Sequence, residues 1–197
     1  MNEDIVTDKQ PIRASEFVEK NRTWRSLKHR RSRLFLGHVR WETHGSSLNP
    51  KNLHPHEGGS LYLVHNGVIA DHLATAKKHG LELHSECDSE VLIRLLEQYK
   101  NPHDGLNACL KKVSGSMSIA VFDYQRECLW LARNSGRPLW VAKLRNDPRW
   151  WIGSTKGILL AAFETVLGTQ SVMDFEILIP MATGSVHVLS ASGYILA

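Results

Sequence analysis

Cysteine is scarce in this chain and poorly spaced for chemistry that uses it in sets. Cys87, Cys109 and Cys128 form an odd number with no Cys-x-x-Cys pair, which excludes a disulfide framework and a zinc ribbon and leaves reduced thiols. No apolar run reaches the roughly 18–20 residues of a membrane helix. Met1 to Gln10 is polar and acidic, unlike a secretory or mitochondrial leader, so no membrane partner is expected and the expected location is cytoplasmic. A surplus of one charge is also lacking: 24 Lys plus Arg against 20 Asp plus Glu leaves +4. The basic run Lys28, His29, Arg30, Arg31, Ser32, Arg33 reads as a solvated stretch ahead of a strand rather than a phosphate-binding face, and no nucleic acid is expected. Repeats and low-complexity tracts are absent. What is present is an ordinary globular composition, 42% hydrophobic and 22% charged over 197 residues, enough for one domain with a core and too little for a second of full size.

Punctuation along the chain predicts an α+β domain. Arg33 to Trp41 reads as a strand, Gly45 to Gly59 as a loop, and Leu61 to Val64 as a short apolar strand running into His65-Asn-Gly67. A helix is expected over His72 to His79, closed by Gly80. A second starts after Asp88 with Val91, Leu92, Leu95, Leu96 and Tyr99 on one face, and a third runs from a cap at Asp104 to Val113. Strands follow at Met117–Asp123, Cys128–Arg133, Leu139–Leu144 and Arg149–Gly153, with turns at 123–127 and 145–148 that suit hairpins. Thr155 to Leu167 reads as a helix with Ile158, Leu159, Ala162 and Val166 inward, and strands return at 175–179, 185–190 and 194–196. Hairpins interrupted by helices, without βαβ alternation, favour antiparallel sheets over a doubly wound parallel one.

Three polar clusters stand at strand ends or helix starts: Gly37-His-Val-Arg-Trp-Glu-Thr-His-Gly45, His65-Asn-Gly67 and Ser85-Glu-Cys-Asp-Ser-Glu90. Groups so placed can line a pocket on a rigid scaffold. They offer an arginine fork for a carboxylate, a carboxylate for an ammonium, and an amide beside a glycine N–H for an oxyanion, which fits an α-amino acid with a carbonyl to be attacked. Each residue also has a plainer reading: Asp88 as a helix N-cap, Asn66-Gly67 as a hairpin turn, Arg40 as a surface charge, Trp41 as core or loop anchor.

In this order and spacing the clusters resemble class II glutamine amidotransferase domains of the N-terminal-nucleophile type. The nearest pattern is that of glucosamine-phosphate synthase: H-T-R-W-A-T-H-G at His38 to Gly45, N-x-H-P-H at Asn52 to His56, H-N-G at His65 to Gly67, and S-E-T-D-T-E at Ser85 to Glu90. A weaker likeness continues through 115–123, Ser135-Gly-Arg-Pro and Ile152-Gly-Ser154. The resemblance implies an αββα sandwich of two antiparallel sheets over residues 34–197, with residues 1–33 an atypical or truncated N-terminal segment. It implies that Arg40 holds the glutamine α-carboxylate with Thr43 and His44 nearby, and that Trp41 sits on a loop covering glutamine. Asn66 and Gly67 would form the oxyanion hole, and Asp88 would take the α-ammonium. It implies hydrolysis of the glutamine amide to glutamate and ammonia, with no cofactor and no metal.

One departure matters. The family nucleophile is an N-terminal cysteine, normally in Cys-Gly-Ile, whose own α-amino group is the base. This chain opens Met1-Asn-Glu-Asp and contains no Cys-Gly-Ile. Either catalysis has been lost or the coding frame starts upstream, and an inactive glutamine- or glutamate-binding module is the alternative. A chain without the nucleophile strand is expected to self-associate or to depend on a partner such as a separate synthase subunit. A metal hydrolase built from His38, His44, His54, His56 and His65 is the remaining reading, weakened by the lack of H-E-x-x-H and of carboxylates at ligand spacing.

Overall fold

Alternation along the strands decides how the layers stack. The computed structural model describes residues 5–27, 32–168, 174–190 and 193–196, the last four by backbone only; Lys28 to Arg31 of the basic run lie outside the described residues. Strands β1 (His56–Gly58), β2 (Leu61–Val68), β3 (Ser116–Asp123) and β4 (Cys128–Arg133) pair antiparallel in chain order. The chain then leaves to build a separate antiparallel sheet from β5 (Trp140–Leu144), β6 (Trp150–Gly153) and β7 (Phe175–Pro180), in the order β6-β5-β7. It returns with β8 (Val186–Ser190) and β9 (Gly193–Leu196), completing the order β1-β2-β3-β4-β8-β9. Departure and return share one neck, where Ala132 pairs with Val186 and Gly184 N–H donates to the Arg133 carbonyl at 2.9 Å.

Residues of opposite parity on the large sheet enter different cores. Leu63, Ile119, Val121 and Trp130 face the helices α3 (His72–His79), α4 (Glu90–Leu96) and α5 (Pro102–Lys112). Val64, Ala120, Leu129 and Leu131 face Leu139, Val141 and Met181 from the small sheet's side. Helix α6 (Lys156–Leu167) packs Leu159 and Phe163 on Ala142 and Trp151, on the small sheet's other side. The result is the expected α+β sandwich of two antiparallel sheets between helical layers. Near the N-terminus, α1 (Ala14–Lys20) and α2 (Arg22–Leu27) bury no residue.

Most boundaries follow local chemistry. Gly80 ends α3 in the left-handed conformation, Thr155 Oγ1 accepts from Ile158 N–H to start α6, and Asp123 Oδ1 accepts the amides of Gln125 and Arg126 to turn β3 into β4.

Four expectations are corrected. Helix α5 is capped by Asn101, whose Oδ1 accepts from His103 N–H at 3.0 Å, and Asp104 sits inside its first turn. Helix α4 buries Ile93 as well as the expected face and ends before Tyr99, because α3, α5 and β1 all pack against it. Gly105 permits the closest approach: a β-carbon there would lie 3.2 Å from the Leu96 Cα. In α6 the inward pair is Leu159 and Phe163, while Ile158 and Val166 are exposed, since an almost uniformly apolar helix does not declare its face.

The fourth concerns 33–41, which belongs to no ladder among the described residues. Its side chains still alternate. Leu34 and Leu36 pack into the core between the sheets, while Phe35, Val39 and Trp41 project into solvent, Trp41 at 90% exposure. With no neighbouring strand among the described residues, period-two patterning yields no hydrogen-bonded ladder.

Candidate functional site

Asp88 is where the motifs meet. It is 2% exposed, in the loop leading into α4. Its Oδ2 accepts from Ile69 N–H at 2.7 Å, just beyond β2, and its Oδ1 accepts from Thr43 Oγ1 at 3.3 Å. His44 Nδ1 lies 3.8 Å from the same Oδ1. No helix amide is capped by this side chain: the cap position of α4 is Ser89, with no side-chain cap bond, so the N-cap reading of Asp88 is set aside.

Arg40 closes the loop it begins. Its Nη2 donates to the carbonyls of His44 and Gly45, the latter at 3.0 Å, while Nη1 is buried without a partner. The surface-charge reading does not hold. Trp41, beside it, is exposed rather than part of the core.

Asn66 and Gly67 lie inside β2, opposite Ser118 and Met117, so the hairpin-turn reading is also overturned. The strand's alternation turns His65 inward to bond Ser89 Oγ (2.8 Å) and leaves the Asn66 side chain exposed. Gly67 has φ 154°, and a β-carbon there would stand 1.8 Å from the Ser116 carbonyl oxygen, so only glycine fits.

Sequence reading missed the parts that hold these loops together. Asn52, fully buried, donates from Nδ2 to the Ser46 carbonyl (2.9 Å) and Glu86 Oε2 (3.0 Å) and accepts from Glu86 N–H (2.8 Å). Glu90 accepts from the His84 and Ser85 amides, from Ser85 Oγ at 2.6 Å and from Arg94 Nε at 3.1 Å. Burial opposes the charge on Glu90, but these donors outweigh it and hold the carboxyl below its ordinary value. His72, buried at the start of α3, places its ring 4.7 Å from that of His44. An asparagine or glutamate within a polar motif signals such a role only once its distant partners are known.

The five histidines do not form one cluster. His44 belongs to the Asp88 group and His65 to Ser89 and Ser116. His38 Nε2 bonds the His65 carbonyl at 3.0 Å, and its ring lies 3.9 Å from that of His54. Burial lowers the pKa of His38 and His56 to about 4 and that of His54 well below the ordinary value, so these rings are neutral at pH 7. All three cysteines are buried, and burial raises the pKa of each. None has the exposed, electropositive setting of a reactive thiolate.

Comparison with known proteins bears on the family and the fold. A family model described as a glutamine amidotransferase domain matches residues 38–161. The glutamine–fructose-6-phosphate aminotransferase (isomerizing) of Bacillus licheniformis is 35% identical over 120 residues, 56% of this chain and 20% of the relative. That of Bartonella henselae is 30% identical over 152 residues, 74% of this chain and 24% of the relative. The chain thus spans about a fifth to a quarter of these relatives. Among solved structures, the glutamine phosphoribosylpyrophosphate amidotransferase of B. subtilis complexed with ADP and GMP superposes with a TM-score of 0.61 at 20% identity, covering 80% of this chain and 33% of that one. A glutamine aminotransferase class-II domain protein from Silicibacter pomeroyi superposes with a TM-score of 0.60 at 20% identity, covering 97% and 87%. No helix among the described residues is long and apolar enough to cross a membrane.

Proposed function

Since the chain belongs to the glutamine amidotransferase domain family, we propose that the pocket around Asp88 binds the α-amino-acid end of glutamine or glutamate. The observation that carries this reading is the convergence on one buried carboxylate of Thr43, His44 and the Ile69 amide, with an unpartnered Arg40 Nη1 in the adjoining loop. Asp88 takes the α-ammonium and Arg40 the α-carboxylate. Thr43 and His44 fix the loop between them, and Trp41, already outside the core, closes over the ligand. The Asn66 amide and Gly67 N–H take the amide oxygen as negative charge develops on it.

Hydrolysis needs a nucleophile that these residues do not supply. Cys87 is 1% exposed and its thiol faces the Asp88 carboxylate at 3.8 Å; Cys109 and Cys128 are locked in the core. We therefore assign these residues binding without turnover. The chemistry of the ammonia acceptor falls to a synthase polypeptide outside residues 1–197. Residues 34–41, in no ladder among the described residues and with the Phe35, Val39 and Trp41 side chains exposed, are where such a partner or a second copy adds a strand. Domain limits of 34–197 for the binding unit and 1–33 for a separate segment fit this assignment.

Calorimetry on the full chain tests the pocket. Glutamine or glutamate binds weakly, and Arg40→Ala or Asp88→Asn removes about 2–5 kcal/mol, enough to abolish the signal; equal affinity in both variants overturns the pocket. Ammonia release stays at the level of a heat-killed control. Turnover that survives Cys87→Ala would show that another group attacks.

A further inference from the structure

His54 and His56, the two imidazoles of the His-Pro-His turn ahead of β1, meet Cys87 from the loop ahead of α4, with one donor atom from each within 4.8 Å of the others. Both ring nitrogens of His54 and Nε2 of His56 are buried with no hydrogen-bond partner. His56 is 5% exposed and Cys87 1%. Buried polar groups without partners are rare, and one nitrogen from each of these two rings within 4.8 Å of the Cys87 sulfur calls for a ligand that accepts lone pairs. A bound cation accepts from one nitrogen of each ring and from the sulfur at once, whereas a water molecule has only two hydrogens to donate.

We propose that His54, His56 and Cys87 form a binding site for a thiophilic divalent metal ion of the zinc class. Two imidazole nitrogens and one sulfur suit Zn²⁺ and exclude the hard, oxygen-seeking Mg²⁺ and Ca²⁺. Binding replaces the Cys87 S–H bond with an S–metal bond and releases that proton to solvent. Each imidazole ligates through the lone pair of one ring nitrogen. A water molecule completes four-coordination, since the nearby His38 Nε2 is committed to the His65 carbonyl. The thiol is this chain's own contribution: the pattern it resembles carries threonine where Cys87 stands. The site is separate from the amino-acid pocket but adjoins it, because Cys87 directly precedes Asp88. The ion ties that loop to the His-Pro-His turn, reinforcing the link Asn52 makes to Glu86. The inference does not rest on the glutamine reading, since metal titration reports on the three ligands whatever Asp88 binds.

The test uses the full chain, stripped of metal by chelator and kept reduced. Titrated Co²⁺ gives a sulfur-to-cobalt charge-transfer band and strong tetrahedral visible bands, saturating at one equivalent, and Zn²⁺ bleaches both. Cys87→Thr abolishes the charge-transfer band and weakens Zn²⁺ by more than about 100-fold, beyond the 10–100-fold cost of losing an outer-shell partner. Cys128→Ser changes neither. A cobalt spectrum unaltered by Cys87→Thr, or Cu⁺ bound while Zn²⁺ and Co²⁺ are refused, overturns the proposal. Should the variant fail to fold, zinc-edge X-ray absorption of the wild-type complex decides: one sulfur and two imidazoles in the shell support the site, and a shell of nitrogen and oxygen alone overturns it.

Discussion

The helix-backed face of the large sheet and the outer side of the small sheet are packed to different standards. Toward α3, α4 and α5 the packing is complete: Leu63, Leu92, Ile119, Leu106 and Met117 have no exposed surface. Beyond the small sheet it is thin. β6 has no fully buried residue, Ile179 on β7 is 46% exposed, and α6 covers its sheet with two buried side chains while leaving Val166 at 69%. Helix α6 on the thin side is more apolar than α3 or α5, so composition did not decide the difference. The number of neighbouring elements did, since burial requires cover from every direction.

Substitutions sharpen this contrast. The largest effect belongs to Leu92→Ala or Ile119→Ala on the finished side, each expected to cost about 2–5 kcal/mol in urea titrations, whereas Val166→Ser changes stability by less than about 0.5 kcal/mol. Equal losses would mean that the small sheet is covered in solution. Next come two glycines given the same new methyl group. Gly67→Ala meets the Ser116 carbonyl and destabilises by more than about 1 kcal/mol, while Gly157→Ala in α6 has open space and stabilises by up to about 1 kcal/mol. Thermal melts showing the same sign for both would contradict the described backbone.

The smallest effect is one of pH. Because the folded pKa of Glu90 is lowered from 4.5, the unfolded chain binds its proton first on acidification. Its stabilisation is therefore complete above that value and is lost as pH falls through the lower folded one. Glu90→Gln flattens this part of the stability profile, as urea midpoints at successive pH values report; parallel profiles would show that the carboxyl is not held as described.

Much of the architecture was legible because its signals are local. Gly80, Thr155 and Asp123 sit at the termini they mark, and the runs 117–123 and 128–133, with a turn between them, named two central strands. Errors arose where a distant partner decides. Asn66-Gly67 reads as a turn until β3 lies beside it, α6 does not reveal its inward face, and residues 33–41 carry a strand's pattern without a strand's neighbour. In the site, Thr43, His44 and Asp88, which the structure brings together, already stood out in the motifs. Asn52, Glu90, His72 and the meeting of Cys87 with His54 and His56 did not, because each depends on loops far apart in sequence.

The single neck at Arg133 and Gly184 also orders events in time. Strands β1 and β2, and β3 and β4, can each zip together as soon as they are made, whereas β8 must wait until residues 134–185 have been threaded out and back. Closing so long a loop is the slow, entropically costly step of assembling such a sheet. The same geometry lets the small sheet and α6 come away as one cooperative unit while the helix-backed strands stay zipped, so the amides of Val141 and Ile152 would exchange with solvent before those of Leu63 and Ile119.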